Sequence, residues 1–349
     1  MPPIAGIIVY MNILVTGGAG YIGSHTLIEL LANGNSVVVV DSLVNSSEES
    51  LRRVEEITSQ KIPFYKLDLR DSPKLEDVFK QHSFDAVIHF AGLKSVGQSV
   101  ADPLSYYSNN IDSTLVLLDL TKKYNVKKFI FSSSATVYGI PEELPLKETS
   151  RVGEGITNPY GQTKFMIEQI LKDVSIADNS AEITLLRYFN PVGADKSGTI
   201  GEDPNGIPNN ILPYVSQVAV GKLPKVTIFG GDYETVDGTG VRDYIHVVDL
   251  AKGHIAALNH SKPGVETYNL CTGKGISVLE LIAAFSKASS KEIPYDIADR
   301  RLGDIASCYA SPEKANEELG WYAEKSIEEA CEDSWKWQSQ NPNGYKVIA

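Results

Sequence analysis

The sequence is poor in cysteine and contains no long hydrophobic run. Its 349 residues include three cysteines, Cys271, Cys308 and Cys331, and none of them stands in a C-x-x-C pair. So small and odd a number argues against a disulfide framework or a structural zinc site, and the six histidines show no metal-ligand spacing. No apolar stretch reaches the roughly 18 residues that a membrane-spanning helix needs. We therefore predict a cytoplasmic protein with no metal site and no membrane segment.

An excess of positive charge is also lacking. The formal net charge is -12 at pH 7, so the surface as a whole repels nucleic acid and anionic membranes. An anionic substrate would need arginines placed close to it. Residues 1–11 contain the apolar stretch IAGIIVY without a basic region or an evident cleavage site. We interpret them as an N-terminal extension ahead of the folded core.

The first half of the chain alternates short β-branched runs with amphipathic segments of helical length. This order is typical of an α/β fold with a doubly wound, parallel Rossmann-type sheet. The predicted strands are 12–16, 36–41, 63–68, 85–90, 127–133 and 182–189. The predicted helices between them are 22–33, 73–80, 113–124 and 159–176.

The pattern changes after residue 190, where loops rich in glycine, proline and asparagine become frequent. Helices are predicted at 248–258 and 278–289, and residues 267–270 are apolar. We predict a dinucleotide-binding domain over residues 12–189 and a smaller C-terminal α/β substrate-binding domain over residues 190–349. A part of the second, about 241–260, is expected to pack back on the first.

A glycine-rich turn follows the first predicted strand. Gly17, Gly20 and Gly23 let the backbone approach a pyrophosphate, whose charge is stabilised at the N-terminus of the following helix. Asp41 ends the second strand, where a carboxylate accepts hydrogen bonds from both ribose hydroxyls of an adenosine and repels a 2'-phosphate. The pattern favours NAD over NADP. Asp68 is a candidate partner for the adenine amino group, and the turn 90–92 has small residues against which a cofactor can lie.

Tyr160 and Lys164 stand four residues apart in the segment NPYGQTK, so that both side chains share one helix face. The pKa of a free tyrosine is about 10, too high for a base at neutral pH. A nearby ammonium group lowers the pKa of such a phenol. Ser134, after the fifth strand, is the best placed hydroxyl to bond the tyrosine or a sugar. These three residues are the predicted catalytic group.

The sequence resembles the UDP-galactose/UDP-glucose 4-epimerases of the extended short-chain dehydrogenase/reductase family from about residue 11 to residue 345. The matching segments are TGGAGYIGSH, HFAGLKSVGQS, SSSATVYG, NPYGQTK, LRYFNPVGA, GEDPNGIPNN, DGTGVRDYIHV and RRLGD. The resemblance implies an isomerase of galactose metabolism that inverts carbon 4 of UDP-hexoses through a transient 4-keto sugar. It implies a tightly bound NAD that each cycle regenerates, and a homodimer formed through helices 113–124 and 159–176.

The resemblance also implies which residues contact each ligand. The arginines Arg242 and Arg301 would hold the diphosphate and Asp304 the uridine ribose. The implied cofactor-binding residues are Gly17, Gly20, Tyr21, Ile22, Gly23, Asp41, Asn45, Asp68, Leu69, Phe90, Ala91, Gly92, Lys94, Asn109, Ser132, Tyr160, Lys164 and Phe189. The implied substrate-binding residues are Lys94, Ser134, Ala135, Thr136, Tyr160, Asn190, Asn210, Ile211, Arg242, Tyr244, Arg301, Asp304 and Cys308.

One of these positions varies within the family. Members have either a bulky tyrosine or a small residue four positions after the aspartate of R-x-G-D, and this sequence has Cys308 there. The missing ring leaves room beside the sugar. We therefore expect UDP-N-acetylglucosamine and UDP-N-acetylgalactosamine to be accepted as well, unless Cys308 is merely a small packing residue.

Three other functions are compatible with a dinucleotide fold. A nucleotide-sugar 4,6-dehydratase needs an additional acid and base, usually an Asp-Glu pair just after the active-site hydroxyl, whereas Ala-Thr-Val follows Ser134 here. A net reductase would usually exchange NADPH, which Asp41 disfavours. A dinucleotide-sensing protein without catalysis would typically have lost Tyr160 or Lys164, and both are present.

Overall fold

The computed structural model describes residues 10–206, 208, 210–301 and 303–346. Of the predicted N-terminal extension, residues 1–9 lie outside the described residues. The strands, in chain order, are β1 (Asn12–Thr16), β2 (Ser36–Asp41), β3 (Phe64–Lys66), β4 (Ala86–His89), β5 (Lys128–Ser134), β6 (Glu182–Tyr188), β7 (Asn190–Val192), β8 (Val226–Phe229), β9 (Val241–His246), β10 (Gly264–Leu270), β11 (Gly275–Ser277), β12 (Tyr295–Ala298) and β13 (Ser307–Cys308).

The helices surround these strands. In chain order they are α1 (Tyr21–Ala32), α2 (Glu48–Thr58), α3 (Ser72–Gln81), α4 (Val96–Ala101), α5 (Pro103–Tyr107), α6 (Ser113–Lys123), α7 (Pro159–Ala177), α8 (Ile211–Ala219), α9 (Val247–Asn259), α10 (Val278–Ser289), α11 (Glu313–Leu319) and α12 (Ile327–Gln340). A π-helical turn, Ser108–Asp112, joins α5 to α6. No helix in the described part of the chain is long and apolar enough to cross a membrane.

Within the described residues, the centre of the fold is a seven-stranded parallel sheet with the order β10-β6-β5-β4-β1-β2-β3. Apolar residues of α1, such as Leu27 and Leu30, cover one face, and residues of α6 and α7, such as Leu117 and Leu171, cover the other. The predicted doubly wound parallel sheet is confirmed. Its strand order reverses between β1 and β4, and such a switch point opens a crevice at the carboxyl ends of the strands.

The outermost strand, β10, comes from the second half of the chain. It pairs in parallel with the whole of β6, and the preceding helix α9 packs against α1. The first half thus contributes six strands of the sheet and residues 264–270 the seventh. That strand lies beyond the range 241–260 that the sequence predicted to return to the first domain. The division into domains at residue 190 otherwise stays a prediction.

The rest of the second half forms smaller sheets covered by helices. Strands β11, β9 and β13 pair side by side, β7 pairs with β9, and β8 pairs with β12. Helices α8, α10 and α12 bury a common core around Val215, Leu281, Phe285 and Cys331. This arrangement brings β9 and β13, which carry predicted substrate residues, next to each other.

Two of the buried histidines, one in β4 and one in α9, are enclosed in the framework in their neutral form. His89 in β4 is held between the hydroxyls of Thr16 and Thr114, at 2.7 and 3.0 Å. Burial, together with the charge of Lys164, lowers the pKa of His89 to about 3. Burial also lowers the pKa of His254 to about 4. The fold therefore has to keep both rings uncharged in mildly acidic solution.

We expect acidification to destabilise the protein through these histidines. In the unfolded chain they take up protons as the pH falls below about 6.5, whereas the folded chain binds those protons only near pH 4 and below. The free energy of unfolding should therefore fall between pH 6.5 and pH 4 by about 1.4 kcal/mol per pH unit for each histidine. Urea unfolding at pH 7 and pH 5 measures this slope. His89→Gln should make it shallower, and an unchanged slope would contradict the assignment to His89.

Candidate active site

The glycine-rich turn between β1 and α1 is packed too closely for side chains. Gly17 has φ +71°, and a Cβ on it would lie 2.7 Å from the backbone nitrogen of Ala91. A Cβ on Gly23 would lie 2.5 Å from the carbonyl oxygen of Gly17. Because these positions lack Cβ atoms, the first turn of α1 sits directly against the carboxyl ends of the central strands. Its backbone N–H groups form the kind of site that binds a phosphate.

The carboxylate of Asp41, buried at the end of β2, organises the neighbouring loop. Its Oδ2 accepts a hydrogen bond from the backbone nitrogen of Ala19 at 3.1 Å. Its Oδ1 accepts from the nitrogen of Leu43 at 2.9 Å and from the hydroxyl of Ser46 at 2.8 Å. A carboxylate has about four acceptor sites, so capacity remains for a ligand hydroxyl. Asp41 thus ties the 42–46 loop to the glycine turn and presents a negative charge beside it.

Asp68 lies further along the same edge of the sheet, and its carboxylate already forms an ion pair. Arg70 donates to both of its carboxylate oxygens, with Nη2 at 2.6 Å from Oδ2. This ion pair holds the pKa of Asp68 below its usual value. The guanidinium of Arg70 also lines the cavity and was missed in the sequence. An adenine amino group would therefore share Asp68 with Arg70.

A cavity runs along the carboxyl ends of the strands from this point to the predicted catalytic residues. Its lining includes all the predicted cofactor residues except Phe189. Phe189 is buried in a separate cluster with Val137 and Tyr138, and Tyr188 faces the cavity in its place. Successive side chains along an extended chain point to opposite sides, so Tyr188 and Phe189 have different surroundings, and a role of Phe189 in cofactor binding stays a prediction.

Tyr160 and Lys164 occupy the first turns of α7. Asn158 caps this helix by accepting from the nitrogen of Gly161 at 2.9 Å, and Pro159 stands at its first position. The Nζ atom of Lys164 donates to the carbonyl oxygen of Ser132 at 2.7 Å and lies 5.9 Å from the ring centre of Tyr160. Both side chains line the same cavity.

The electrostatics of this pair differ from the sequence expectation. Burial raises the pKa of Tyr160, against the opposing effect of a hydrogen bond from Ser134. Burial also lowers the pKa of Lys164 to about 7. A low-dielectric site favours the neutral form of each group, so the chain by itself does not acidify the phenol. A positive charge close by, from the ammonium form of Lys164 or from a ligand, would favour the phenolate in addition to Ser134.

Ser134 lies at the end of β5, beside Tyr160. Its hydroxyl oxygen accepts from the nitrogen of Thr136 at 3.2 Å and from the hydroxyl of Thr136 at 3.0 Å, and the serine lies close enough to Tyr160 to lower the pKa of that phenol. Ala135 and Thr136 form a 3-10 turn that fixes this serine. The structure thus brings together Ser134, Tyr160 and Lys164, which the sequence placed on two separate elements.

The predicted substrate residues on β9 and β13 form a second polar group outside that cavity. Arg242 Nη2 donates to Asp304 Oδ1 at 2.8 Å, and Arg301 Nε lies 3.7 Å from Asp304 Oδ2. Cys308 on β13 is the direct neighbour of Arg242 across the strands. Two arginines so close to one carboxylate leave donors free for an anion.

Other predicted substrate residues stand on β7, on β9 and just before α8, and Lys94 follows β4. Asn190 and Tyr244 are direct neighbours across β7 and β9. Asn210 precedes α8, whose first residue is Ile211. Asn210 Nδ2 and Lys94 Nζ donate to the same oxygen, Oε1 of Glu202, at 2.7 and 3.1 Å. Glu202 therefore bridges one predicted cofactor residue and one predicted substrate residue.

With the fold and this geometry in place, comparison with known proteins assigns the family. Residues 13–271 match the NAD dependent epimerase/dehydratase family. The chain belongs to that family. The relationship to the UDP-glucose 4-epimerases that the sequence predicted is confirmed by relatives that match over almost their whole lengths.

Individual members of this epimerase/dehydratase family are similar in both sequence and structure. UDP-glucose 4-epimerase of Bacillus subtilis (strain 168) is 61% identical over 338 residues, covering 96% of this chain and 99% of the relative. The Homo sapiens UDP-glucose 4-epimerase is 56% identical over 346 residues, covering 97% and 99%. The crystal structure of UDP-glucose 4-epimerase from Bifidobacterium longum in complex with NAD+ and UDP is 59% identical with a TM-score of 0.93, covering 95% of this chain and 99% of that chain.

The cavity fits the dinucleotide of the epimerase/dehydratase family. The glycine turn leaves no room for side chains between β1 and α1, and its backbone is free to meet a pyrophosphate. Asp41 supplies the acceptor that ribose hydroxyls require, and its charge disfavours an additional phosphate. Within the described residues, no group of three or more His, Cys, Asp or Glu side chains could hold a metal ion.

Several residues that line the cavity could not be identified from local motifs. Some flank predicted cofactor residues, and the others come from distant segments that reach the cavity only after folding. They are Val44, Ser46, Arg70, Tyr188, Gly201, Glu202, Asp203, Pro204 and Tyr345. The segment GEDP (201–204) was noticed only as part of the resemblance, and nothing in the sequence near Tyr345 indicated a cavity.

A buried ion pair connects the strands and the helix that carry the predicted catalytic residues. Arg187 on β6 contacts Glu168 on α7 through two bonds, Nη2 to Oε2 at 2.7 Å and Nε to Oε1 at 3.0 Å. The hydroxyl of Ser133 on β5 donates to the same Glu168 at 2.5 Å. Tyr138 accepts a further bond from Arg187 at 3.0 Å. This network fixes α7 relative to β5, and so Tyr160 relative to Ser134.

Proposed function

We propose that this protein is an NAD-dependent UDP-glucose 4-epimerase, which interconverts UDP-galactose and UDP-glucose in galactose metabolism. The observation that carries the proposal is the placement of Tyr160 and Lys164 in a cavity that Asp41 and the glycine turn also line, with Ser134 next to the tyrosine. The high identity to curated epimerases over nearly the whole chain supports the same activity. The substrate is accordingly a UDP-sugar.

The chain's own residues perform the proton transfers. NAD, when bound, supplies the acceptor and donor of a hydride. Tyr160 takes the proton of the sugar 4-hydroxyl and later returns it, while Ser134 hydrogen-bonds the tyrosine or the sugar oxygen. Because burial opposes ionisation of Tyr160, the ammonium form of Lys164 is needed to favour the phenolate.

Inversion of carbon 4 requires that the 4-keto sugar presents its other face before reduction. We assign the firm grip on the nucleotide to Arg242 and Arg301 on the diphosphate and Asp304 on the uridine ribose. A guanidinium matches phosphate oxygens with paired hydrogen bonds. Arg242 donates a hydrogen bond to Asp304, so binding would exchange this contact for one with the substrate. The hexose, held loosely, is free to turn.

The remaining assignments concern the sugar. We assign Asn190 and Asn210 to the nucleotide sugar, with Lys94, Ala135, Thr136, Ile211 and Tyr244 around it. Cys308, half-buried beside Arg242, is proposed to admit an N-acetyl group. On that basis the enzyme also interconverts UDP-N-acetylglucosamine and UDP-N-acetylgalactosamine.

The alternative functions lack corresponding features. A 4,6-dehydratase would need carboxylates in the turn after Ser134, which has Ala135, Thr136 and Val137 instead. A dinucleotide sensor would not need Tyr160 and Lys164 side by side at the cavity. We also propose a cytoplasmic location, which is supported by the three unpaired cysteines Cys271, Cys308 and Cys331. Oxidising compartments outside the cytoplasm favour the formation of disulfides.

The decisive experiment is incubation of the purified protein with UDP-galactose, without added cofactor, followed by proton NMR. Appearance of UDP-glucose is the expected result, because NAD is regenerated and stays bound. A 4-keto-6-deoxy product would instead establish a dehydratase. No change, in a protein that carries NAD, would favour the sensor.

We further propose that the protein is a homodimer formed through α6 and α7. Leu115 on α6 and Met166 on α7 expose 43% and 39% of their surface, and Leu104 just before them exposes 78%. Apolar side chains grouped on neighbouring helices are typical of a covered surface.

Sedimentation should give a dimer for the natural chain and a monomer for the double variant Leu115→Glu/Met166→Glu, because buried charges oppose association. Val236→Glu changes an equally apolar residue that is 80% exposed on a loop, and should leave the dimer intact. A double variant that still sediments as a dimer would exclude this interface.

A further inference from the structure

Residues 198–206 form a strap across the cofactor cavity. Four of them, Gly201 to Pro204, line the cavity. On one side the strap reaches Lys94, whose Nζ donates to Glu202 Oε1 at 3.1 Å. On the other side Asn205 Nδ2 donates to the carbonyl oxygen of Val44 at 3.3 Å. Since Lys94 follows β4 and Val44 follows β2, and both line the cavity, the strap spans it over the glycine turn between them.

The strap is held from outside by the C-terminal end of the chain. Tyr345 makes three bonds to it: its hydroxyl donates to Gly201 O at 3.1 Å and accepts from Gly201 N at 3.3 Å, and its backbone nitrogen donates to Asp203 Oδ2 at 2.8 Å. Trp337 Nε1 donates to Glu202 O at 3.3 Å. Asn341 Nδ2 donates to Gly198 O at 2.9 Å. Tyr345 itself also lines the cavity.

Arg53 on α2 joins these parts to the first half of the chain. Its Nη1 donates to the strap at Thr199 O, 2.8 Å away, and to Asn341 Oδ1 at 2.6 Å. Its guanidinium lies 5.1 Å from the ring centre of Tyr345. Strap, C-terminal segment and α2 therefore form one connected unit at the cavity wall.

The strap and the C-terminal segment are in close van der Waals contact. Gly344, with φ +68°, has its Cα so close to the strap that a Cβ would lie 2.0 Å from Asp203 Oδ1. Tyr345 is 8% exposed, and its ring contacts Trp337 at 4.9 Å between centres. By contrast, the strap contacts Lys94, a side chain that is 48% exposed, and such exposed ion pairs are weak. The strap is thus fixed mainly from its outer side.

We propose that Tyr345 is a positioning residue for cofactor retention: by holding the strap closed over the cavity, it slows the release of NAD. The inference rests on the proposed function, because it takes the cavity to hold NAD. A dinucleotide lying over the glycine turn, beneath the strap, leaves only when Gly201 to Pro204 move outward. That movement breaks the bonds between Tyr345 and the strap. The C-terminal end of the chain, remote in sequence from every cofactor motif, thereby sets how long NAD stays.

The test measures NAD release from the full-length holoenzyme. Protein freed of excess nucleotide by rapid gel filtration is mixed with an alcohol dehydrogenase and ethanol, which reduce NAD as it is released. Tyr345→Ala should release NAD about tenfold faster than the natural protein, since both hydrogen bonds between the hydroxyl and Gly201 and the packing of the ring are lost, and Tyr345→Phe should fall between the two. Tyr322→Ala removes a tyrosine that is 59% exposed in the same part of the chain, and its release rate should stay natural.

A second measurement separates retention from general damage. With saturating added NAD, kcat of Tyr345→Ala should return to within about threefold of the natural value, because the catalytic residues do not contact Tyr345. Gly344→Ala keeps the Tyr345 ring but displaces the segment from Asp203, and it should also speed release. Natural release rates in both Tyr345→Ala and Gly344→Ala would overturn the inference. So would a kcat loss in Tyr345→Ala that added NAD does not restore.

These outcomes are distinct from failure of the proposed function. A natural protein that carries no NAD and does not convert UDP-galactose would refute the function itself. If the natural protein carries NAD and converts UDP-galactose, and the variants release NAD at the natural rate, only the role of Tyr345 is refuted.

Discussion

Tyr160→Phe is expected to lower kcat for conversion of UDP-galactose to UDP-glucose by at least about a thousandfold, within the range that acid–base groups contribute to enzymes. The substitution removes only the phenolic oxygen, which lies in the cavity beside Ser134. The ring remains, so the packing of α7 and the cofactor site should be preserved.

The kcat of Tyr160→Phe has to be measured on protein whose NAD content is known. We expect Tyr160→Phe to keep the NAD content and the melting temperature of the natural protein, with the loss confined to turnover. Tyr65→Phe is the matched control, because it removes a tyrosine hydroxyl that bonds Gln81 and His82 outside the cavity. It should be fully active. A Tyr160→Phe enzyme that interconverts the two sugar nucleotides at the natural rate would show that the mechanism is wrong.

Cys308→Tyr is expected to abolish most of the activity on N-acetylated sugars while sparing the hexoses. Cys308 stands on β13 next to Arg242 and packs against Val137 and Tyr138, in the turn that follows Ser134. A tyrosine ring there takes the space in which we place the acetamido group. We expect turnover of UDP-N-acetylglucosamine to fall about a hundredfold, the scale of steric exclusion from a pocket. Turnover of UDP-galactose should change by only about threefold.

The control for volume is Cys308→Ser, which keeps the side chain small. It should retain both activities, because no ring enters the pocket. The experiment compares kcat/KM for UDP-galactose and UDP-N-acetylglucosamine in all three proteins. If the natural protein turns over UDP-N-acetylglucosamine at less than about a thousandth of its rate on UDP-glucose, beyond ordinary pocket discrimination, Cys308 is a packing residue and the wider specificity is refuted.

Features that depend on neighbouring residues were predictable from the sequence. The central strands β1, β2, β4, β5 and β6 are short β-branched runs that any parallel sheet requires, and they lie where the pattern predicted them. The glycine turn was equally visible, because only glycine fits the contact between Gly17 and Ala91. Helix α2 was missed, since its sequence is mostly polar and its buried face is limited to residues such as Leu51 and Val54.

Features that depend on distant contacts were not predictable. The composition of β10 does not say which sheet it joins, and only the path of α9 over α1 places it beside β6. That the side chain of Tyr188 lines the cavity depends on exactly where β6 ends. The sequence showed that Lys164 lies near Tyr160 but could not show how deeply both are buried. It is this burial that reverses the expected direction of the Tyr160 pKa.

The ion pair between Arg187 and Glu168 constrains how this protein can diverge. Both side chains are almost fully enclosed, at 3% and 0% exposure, so losing either one strands the other's charge and costs about 3–5 kcal/mol. The free energy of unfolding of most domains is only about 5–15 kcal/mol. Exchange of both for apolar side chains of similar size is often neutral. Descendants of this chain should therefore keep the two residues together or replace them together, and lineages with a single exchange should be rare.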